Sequence, residues 1–438
     1  MSVAIDEPAS LPHWFAAKTP PERPAGPLSE KLTTDCVVIG AGITGSSTAI
    51  HLRKMGRQVV QLELNEPGWG ASGRAFGNVV AVSKHSDTHI LDVYGPERGE
   101  RLNQALEDGP KLVRNLIDEP DIDADLGNTY WLLAAHTPKY ADILRRNVER
   151  LGKQGKNIRL LEADETARLV GSDYYSLSVL DSRSFGIKPL GYAQGLAHAA
   201  VRMGTAQYWQ TPAMRIEKAQ GAKWRVTTPG GEVVADMVFI CTNAYGGDLW
   251  PGLKKTYIPV RGYCAVTTPL SENLFAQILP ERHFVTDTRH LWSGIRKIDG
   301  SRLQLSTGGP SINRNGNADL AEATKRLKDV YPYFGDVSWE GSWGGWVAIT
   351  ANQLPRIFRL ADGVFSALGY SGRGLSFSTM LGAELAQLAA NPDRDDLILP
   401  VVGMKTLPFH IFAPFVAAAY INYFKAMDTW AIWRHARR

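Results

Sequence analysis

The stretch DCVVIGAGITG, residues 35–45, joins a short run of apolar, mostly β-branched residues to a glycine-rich turn. Such a run is typical of a strand buried in a parallel sheet. The following residues, SSTAIHLRKMG (46–56), carry apolar side chains at roughly helical spacing and end at a glycine that stops a helix. RQVVQLELN (57–65) predicts a second strand ending near Glu63. The region therefore predicts one βαβ unit.

The glycine turn of this unit matches the G-x-G-x-x-G pattern of dinucleotide-binding folds. Gly40 allows the tight turn, Gly42 lets a pyrophosphate approach the backbone, and Gly45 lets the helix pack against the strand. The helix N-terminus, at Ile43 and Thr44, supplies amide donors for the phosphates. The acid that binds the ribose hydroxyls is expected ~20 residues after the glycine turn, and Glu63 lies near that position. We therefore predict an adenine dinucleotide site.

A second glycine-rich loop, GWGASGRAFGN (68–78), comes directly after the second strand. Glycine serves where the backbone approaches another object closely. A nicotinamide cofactor needs no second loop here, whereas a flavin dinucleotide is longer and is held extended. Ser72 and Arg74 are predicted to reach phosphate or ribityl oxygens, with a solvated surface charge as the alternative for Arg74. The loop favours FAD, with predicted contacts at Gly70, Ala71, Ser72, Gly73, Arg74, Gly77 and Asn78.

These motifs, followed by GYSGRGL (369–375), resemble the D-amino-acid-oxidase/glycine-oxidase superfamily of FAD-dependent oxidoreductases over about residues 34–390. The resemblance implies that the late turn, before a helix beginning near Ser376, faces the flavin N1/C2=O edge. A cation and a helix N-terminus there stabilise the reduced flavin. An exposed position at the helix start is the alternative for Arg373. The implied contacts are Gly369, Gly372, Arg373, Gly374 and Leu375, with Ala244 of CTNAY beside the adenosine half.

The sequence predicts that FAD is not covalently attached. Relatives of the sarcosine-oxidase type attach it through a cysteine just before the late turn, and here no cysteine follows Cys264. Histidyl attachment next to the arginine loop is also unexpected, because Ala75 follows Arg74. In many relatives this loop reads GASGRNGG, so Ala75 and Phe76 replace an asparagine and a glycine.

The block WGGWV (343–347) bears on the substrate. Glycine-oxidase-like relatives carry an arginine there, which clamps the amino-acid carboxylate with its guanidinium fork, and Val347 stands in its place. The block looks more like the γ-glutamylputrescine oxidase-like branch, whose substrates are amines. We predict Trp343 and Trp346 in the amine pocket, with core packing as the alternative. Arg373 and Arg296 complete the predicted catalytic set, with an exposed strand position as the alternative for Arg296.

The predicted fold class is α/β (α+β overall), a Rossmann-type FAD-binding domain with an inserted antiparallel-sheet substrate domain. Residues 34–90, 185–255 and 345–400 are predicted to form the discontinuous FAD-binding domain. Residues 91–184 and 256–344 are predicted to form the substrate domain. Residues 1–33 are predicted to form an N-terminal arm, and residues 401–438 a packed or amphipathic helical segment.

Composition excludes several other classes of function. The net charge of the 438 residues is +4 without a long basic run, so nucleic-acid binding is not expected. The three cysteines match no metal motif or disulfide framework, which predicts no metal and a reducing, cytoplasmic location. No stretch predicts a secretory signal or a membrane span.

The predicted function is FAD-dependent oxidation of a primary or secondary amine to an imine that hydrolyses to a carbonyl compound. A carboxylate-recognising amino-acid oxidase and a flavin-binding accessory protein without turnover are the alternatives. The sequence leaves the final electron acceptor open between oxygen and another molecule.

Overall fold

The computed structural model of the protein describes residues 26–119, 121–221, 223–291, 293–308 and 319–436. Most of the predicted N-terminal arm, residues 1–33, lies outside these ranges, as do residues 437–438 of the predicted C-terminal segment. The stretch PLGYAQGLAHAAVRM (189–203) predicts a helix, and the structure has one there, from Pro189 to Arg202. The helix predicted to begin near Ser376 begins slightly earlier, at Gly374.

The strands, in chain order, are β1 Lys31–Ile39, β2 Val59–Leu62, β3 Asn78–Val79, β4 Asp125–Ala134, β5 Ile158–Leu161, β6 Ser178–Ile187, β7 Ala206–Tyr208, β8 Arg215–Lys218, β9 Trp224–Thr227, β10 Glu232–Ile240, β11 Ile258–Thr267, β12 Phe284–Asp287, β13 Gly294–Ile298, β14 Arg302–Thr307, β15 Trp339–Ile349, β16 Arg356–Ala361, β17 Val364–Leu368 and β18 Val401–Gly403.

The α-helices, in chain order, are α1 Ile43–Lys54, α2 Ala71–Arg74, α3 Asp87–Asp118, α4 Pro138–Lys153, α5 Ala163–Val170, α6 Pro189–Arg202, α7 Glu272–Gln277, α8 Leu320–Val330, α9 Gly374–Gln387 and α10 Ala413–Ala436. Helix α3 is kinked at Gly95, where φ is 77°.

The first sheet has β1 at its centre, with β2 and β10 paired to it in parallel. Alternate side chains of β1 enter different cores, because successive residues of a strand point to opposite faces. Cys36 and Val38 pack with α1, α6 and α9, and Val37 and Ile39 pack in the core on the other face. Burial on both faces explains the unbroken apolar run in the sequence. The strands β1 and β2 with helix α1 form the predicted βαβ unit.

Helix α1 lies unusually close to its surroundings because of two glycines. A Cβ added at Gly45 would lie 1.9 Å from the Gly40 carbonyl oxygen, so α1 touches the end of β1. A Cβ added at Gly382, on α9, would lie 2.6 Å from the Thr44 carbonyl oxygen. These contacts hold the first turn of α1 against the end of β1 and against the middle of α9.

The second sheet follows the order β15-β11-β14-β13-β12-β4-β6-β3, with β5 added beside β6. The segments 257–269, 290–298 and 302–307 have the apolar pattern of antiparallel strands joined by turns, and they contain β11, β13 and β14, which pair in this way. The pair β4–β12 is parallel, which is possible because distant parts of the chain supply these strands. Strand β3 and most of β15 pair here, although residues 78–79 and 345–349 were assigned to the FAD-binding domain.

Helix α10 packs on the second sheet, beside β11. The ring of Phe424 stacks on that of His290 at 4.7 Å, and the Asp428 carboxylate lies 2.6 Å from the His290 ring nitrogen Nδ1. Its other face exposes several large apolar side chains, namely Phe415, Val416, Tyr423, Trp430 and Trp433. Within the described ranges, no helix combines the length and apolarity needed to cross a membrane.

Candidate active site

A cavity of about 430 Å³, called the main cavity below, is lined by residues of both sheets. This volume is typical of small-molecule sites. The cavity lies at the carboxyl ends of β1 and β2, where open α/β sheets bind their ligands. Most of the predicted cofactor contacts line it, namely Gly40, Gly42, Ile43, Thr44, Glu63, Gly70, Ala71, Ser72, Arg74, Asn78, Gly372, Arg373, Gly374 and Leu375.

The remaining predicted cofactor contacts are not among the lining residues. These are Gly45, Gly73, Gly77, Ala244 and Gly369. Four are glycines at close contacts: added Cβ atoms would lie 2.5 Å from the Gly68 carbonyl oxygen at Gly73 and 2.3 Å from the Thr350 side chain at Gly369. Ala244 packs against the apolar core, while its neighbours Thr242, Asn243 and Tyr245 reach the cavity. These five residues therefore pack behind the residues that line the cavity and do not line it themselves.

Glu63 is a buried carboxylate at the end of β2. One oxygen accepts a hydrogen bond from the Ala41 backbone N–H at 2.7 Å, and the other accepts one from the Asn65 N–H at 2.9 Å. Burial raises the pKa of Glu63, and the backbone hydrogen bonds oppose that rise. Because a carboxylate offers about four acceptor positions, Glu63 retains capacity for donors such as ribose hydroxyls.

The arginine loop is fixed directly to the glycine turn. The Ile43 backbone N–H donates to the Ser72 hydroxyl at 3.0 Å, and a Cβ added at Gly42 would lie 2.8 Å from that oxygen. Gly42 caps α1 without a side-chain hydrogen bond. The Ile43 amide, predicted as a phosphate donor, is thus already used by Ser72, and the next amide of the first turn, that of Thr44, is available to phosphate oxygens among the described residues.

Arg74 lies inside the protein, 3% exposed, on the wall of the main cavity. Its Nε–H donates to the Trp69 carbonyl oxygen at 2.8 Å, and its guanidinium lies 5.3 Å from the centre of the Trp69 ring. The alternative of a solvated surface charge is therefore wrong for this residue.

Arg373 is the N-cap residue directly before α9 and lines the main cavity. Its guanidinium lies 5.4 Å from the centre of the Trp131 ring, and its Nε is buried without a hydrogen-bond partner among the described residues. Burial lowers the pKa of Arg373 to about 10. The side chain thus brings a cation to a helix N-terminus inside the protein, and the exposed alternative is wrong.

Of the four predicted catalytic residues, Trp346 and Arg373 line the cavity and Trp343 and Arg296 do not. Positions 343 and 346 of β15 point to opposite faces of the strand. The Trp343 indole N–H donates to the Arg74 carbonyl oxygen at 3.0 Å, and its ring packs in a small buried core. Core packing, the alternative, describes Trp343.

Arg296 is 2% exposed, so the alternative of an exposed strand position is also wrong. Its side chain donates to the Gln304 side chain on the neighbouring strand and to the Ile187 carbonyl oxygen at 2.8 Å. Burial lowers the pKa of Arg296 to about 9. These contacts hold the guanidinium away from the main cavity.

Sequence reasoning missed several residues on the wall. Tyr245 accepts a hydrogen bond from the Trp346 backbone N–H at 2.8 Å and contacts the Trp69 ring edge-on at 6.0 Å. It is the last residue of CTNAY, which could have revealed it. A polar stretch at the end of β12 also reaches the cavity, with Asp287 as the last residue of the strand and Arg289 and His290 just after it. Lys84 also lines the cavity, and no motif in the sequence indicated it.

The residues present fit an FAD. The glycine turn leaves backbone close to the cavity, the Thr242 hydroxyl on the wall is buried without a hydrogen-bond partner in the described part of the chain, and Glu63 keeps free acceptor positions. Within the described ranges, no cluster of histidine, cysteine, aspartate and glutamate side chains is placed to hold a metal ion.

Comparisons with known proteins agree with this fit. The gamma-glutamylputrescine oxidoreductase of Escherichia coli (strain K12) is 30% identical over 93% of this chain and 97% of its own. The glycine oxidase of Bacillus licheniformis is 24% identical over 83% of this chain and 95% of its own. The structure of glycine oxidase from Geobacillus kaustophilus superposes with a TM-score of 0.69 at 20% identity, covering 85% of this chain and all of that one.

The family model described as "DAO: FAD dependent oxidoreductase" matches residues 35–388. This range runs from within β1 to the end of α9 and contains the glycine turn, the arginine loop and the late turn. The predicted superfamily and fold class are confirmed, as is the resemblance to the γ-glutamylputrescine oxidase-like branch. With its cavity built from the glycine turn, the arginine loop and the late turn, the chain belongs to the DAO family of FAD-dependent oxidoreductases.

Proposed function

We propose that the protein oxidises the C–N bond of a primary or secondary amine with an extended or acylated chain. The resulting imine hydrolyses to a carbonyl compound and a smaller amine or ammonia. The observation that carries the proposal is Val347, which lines the main cavity where glycine-oxidase-like relatives place an arginine. The relative named gamma-glutamylputrescine oxidoreductase supports an amine of this kind.

An FAD held by the glycine turn, the arginine loop and the late turn would supply the redox chemistry, as the acceptor of a hydride from the carbon next to the amine nitrogen. Trp346 offers an aromatic face to an alkyl chain or an ammonium group, with a cation–π attraction of about 0.5–2 kcal/mol. The reacting nitrogen must be neutral, because its lone pair assists hydride departure. The rate is therefore expected to rise with pH through the pKa of the bound amine.

We further infer that the FAD is held without a covalent bond, mainly by residues 34–90, 185–255 and 345–400, of which 78–79, 185–187 and 345–349 pair in the second sheet. Acid precipitation should leave the yellow colour in the supernatant, and colour retained by the protein would contradict this. Three buried free cysteines support a cytoplasmic location.

The proposal is tested by mixing the purified yellow protein anaerobically with diamines, γ-glutamylated amines, N-alkyl amino acids and simple α-amino acids. Flavin bleaching is expected with the extended amines. Fast bleaching by α-amino acids alone would instead identify an amino-acid oxidase, and bleaching by none would favour a protein without turnover. Repeating the reaction in air shows whether oxygen accepts the electrons.

A variant pair examines the wall itself. Val347→Arg places a guanidinium where the relatives carry one, and it should raise the rate with α-amino acids relative to extended amines. Val347→Leu changes size without charge and should leave this preference unaltered. Equal effects of the two substitutions would show that position 347 does not select the substrate.

A further inference from the structure

A second cavity, of about 660 Å³, lies beside the main cavity and is lined by residues of α3, α4 and β6. Two side chains, Lys84 and Arg373, line both cavities. Lys84 follows the short strand β3, and Arg373 directly precedes α9. The two cavities therefore meet at this pair of cations.

The other charges of the second cavity are mostly neutralised by ion pairs. Arg183 binds the Asp181 carboxylate at 2.7 Å and also the Glu107 carboxylate, which lies 3.3 Å from the Lys156 ammonium. Arg150 pairs with the Asp87 carboxylate at 2.7 Å. Among the lining carboxylates described, only Glu100, exposed on α3, forms no ion pair.

Lys84 and Arg373 lack such compensation. Among the described residues, neither side chain forms an ion pair or a hydrogen bond. Part of the Lys84 side chain is accessible because it opens onto the cavity. The surrounding protein atoms and the nearby Arg373 lower the pKa of its ammonium to about 8. Adjacent cations without a counter-charge destabilise a folded protein. An anionic ligand between them would remove that penalty.

We propose that Lys84 and Arg373 bind a carboxylate carried by the amine substrate at a distance from the reacting nitrogen. This inference rests on the proposed function and narrows it to amines with a remote acidic group. A guanidinium binds a carboxylate through two parallel hydrogen bonds, and an ammonium adds a point charge. The Trp131 ring lies against the Arg373 guanidinium and supports it. Val347 carries no charge, whereas the pair lies where the main cavity meets the second cavity, which places the carboxylate at the margin of the main cavity.

The binding test uses pentanoate and pentanamide, which match in shape and differ in charge. Each is titrated into the FAD-loaded protein, and the flavin absorbance change reports binding. Pentanoate should bind more tightly than pentanamide. Lys84→Met should raise the pentanoate Kd by roughly tenfold or more, as loss of a charge-assisted hydrogen bond implies, and should leave the pentanamide Kd unchanged.

Three controls separate binding from general effects. Lys84→Arg should restore most of the pentanoate affinity. Lys153→Met removes an exposed lysine of α4 that pairs with Glu149, and it should leave both Kd values unchanged. Lys84→Met should also raise the Tm of the protein without pentanoate, because it relieves repulsion with Arg373. A purely structural lysine would lower the Tm instead.

The substrate test compares 5-aminopentanoate with pentylamine. The carboxylate should favour 5-aminopentanoate in kcat/KM, and Lys84→Met should abolish the preference mainly through KM. Equal binding of pentanoate and pentanamide, or competition by chloride at the same concentration as pentanoate, would overturn the proposed site. If pentanoate binds in a Lys84-dependent manner while no amine is oxidised, the carboxylate site stands and the proposed amine oxidation fails.

Discussion

Glu63 is buried and accepts two backbone hydrogen bonds, and this makes it a sensitive test of cofactor binding at the scale of one residue. Glu63→Ala should reduce the FAD content of the purified protein, because a charge-assisted hydrogen bond contributes roughly 1.5–3 kcal/mol. The measurement is flavin absorbance per mole of protein, together with an FAD titration of the protein stripped of cofactor.

Glu63→Gln is the matched control for this variant. The glutamine oxygen still accepts one hydrogen bond but carries no charge, so its FAD affinity should fall between those of the wild type and Glu63→Ala. The unfolding temperature of each cofactor-free variant separates lost binding from lost folding. Full flavin content in Glu63→Ala would show that the ribose site lies elsewhere.

Arg373 is the second residue whose charge should be measurable. Arg373→Ala should lower the flavin reduction potential and weaken sulfite addition, because a cation that stabilises the reduced, anionic flavin is removed. Arg101→Ala, which removes a partly exposed arginine of α3, is the control. An unchanged potential in Arg373→Ala would mean that the guanidinium does not act on the flavin.

The site residues differ in how far the sequence could identify them. Gly40, Glu63 and Ser72 belong to short local patterns whose spacing carries the geometry, so they were predicted in place. Trp343 and Arg296 depend on which face of a strand they occupy and on cross-strand neighbours such as Gln304, which local patterns do not specify. Lys84 could not be identified from local sequence, because its proposed role depends on Arg373, which is far away in the chain.

At the scale of elements, the packing of α9 on α1 couples the two helix N-termini that reach the cavity. Gly382→Ala should destabilise the protein by about 1–3 kcal/mol, the usual cost of overpacking, because its Cβ would press on the Thr44 carbonyl oxygen at 2.6 Å. It should also weaken FAD binding, since α1 and α9 must separate. Denaturant unfolding and FAD titration measure the two effects.

A second glycine provides the opposite expectation. Gly152, on α4, has nothing within 4 Å of its added Cβ. Gly152→Ala should therefore stabilise the protein by about 0.5–1 kcal/mol through helix propensity and leave FAD binding unchanged. If both substitutions destabilise the protein, close packing at Gly382 is not the cause. Replacing any helical glycine by alanine would then have the same effect.

Elements with strong local patterns were predicted well from sequence. The βαβ unit, α6 and the late turn before α9 follow from apolar runs and glycine positions. The sheet order was not accessible, because β1 pairs with β10 across most of the first half of the chain, and the parallel pair β4–β12 joins two distant segments. Pairings of this kind depend on the assembled core rather than on neighbouring residues.

At the scale of the whole molecule, the cavity is bounded by both sheets, so cofactor binding should stabilise them together. Adding FAD at 100 times its Kd should stabilise the protein by about 2.7 kcal/mol. Tryptophan fluorescence and flavin release should then report the same Tm, and that Tm should rise with FAD concentration. Two separate transitions, with only one depending on FAD, would contradict this coupling.

The scattered origin of the cavity wall also has a consequence for how the protein is made. The glycine turn leaves the ribosome early, whereas the late turn at residues 369–375 is synthesised tens of seconds afterwards, at about 5–20 residues per second. For most of its synthesis, the nascent chain therefore contains only part of the residues that line the main cavity. The edge of β1 that pairs with β10 stays unpaired until β10 has been synthesised. We therefore expect FAD to be captured at the end of translation, and a chain held on a ribosome stalled before Gly369 should not retain it.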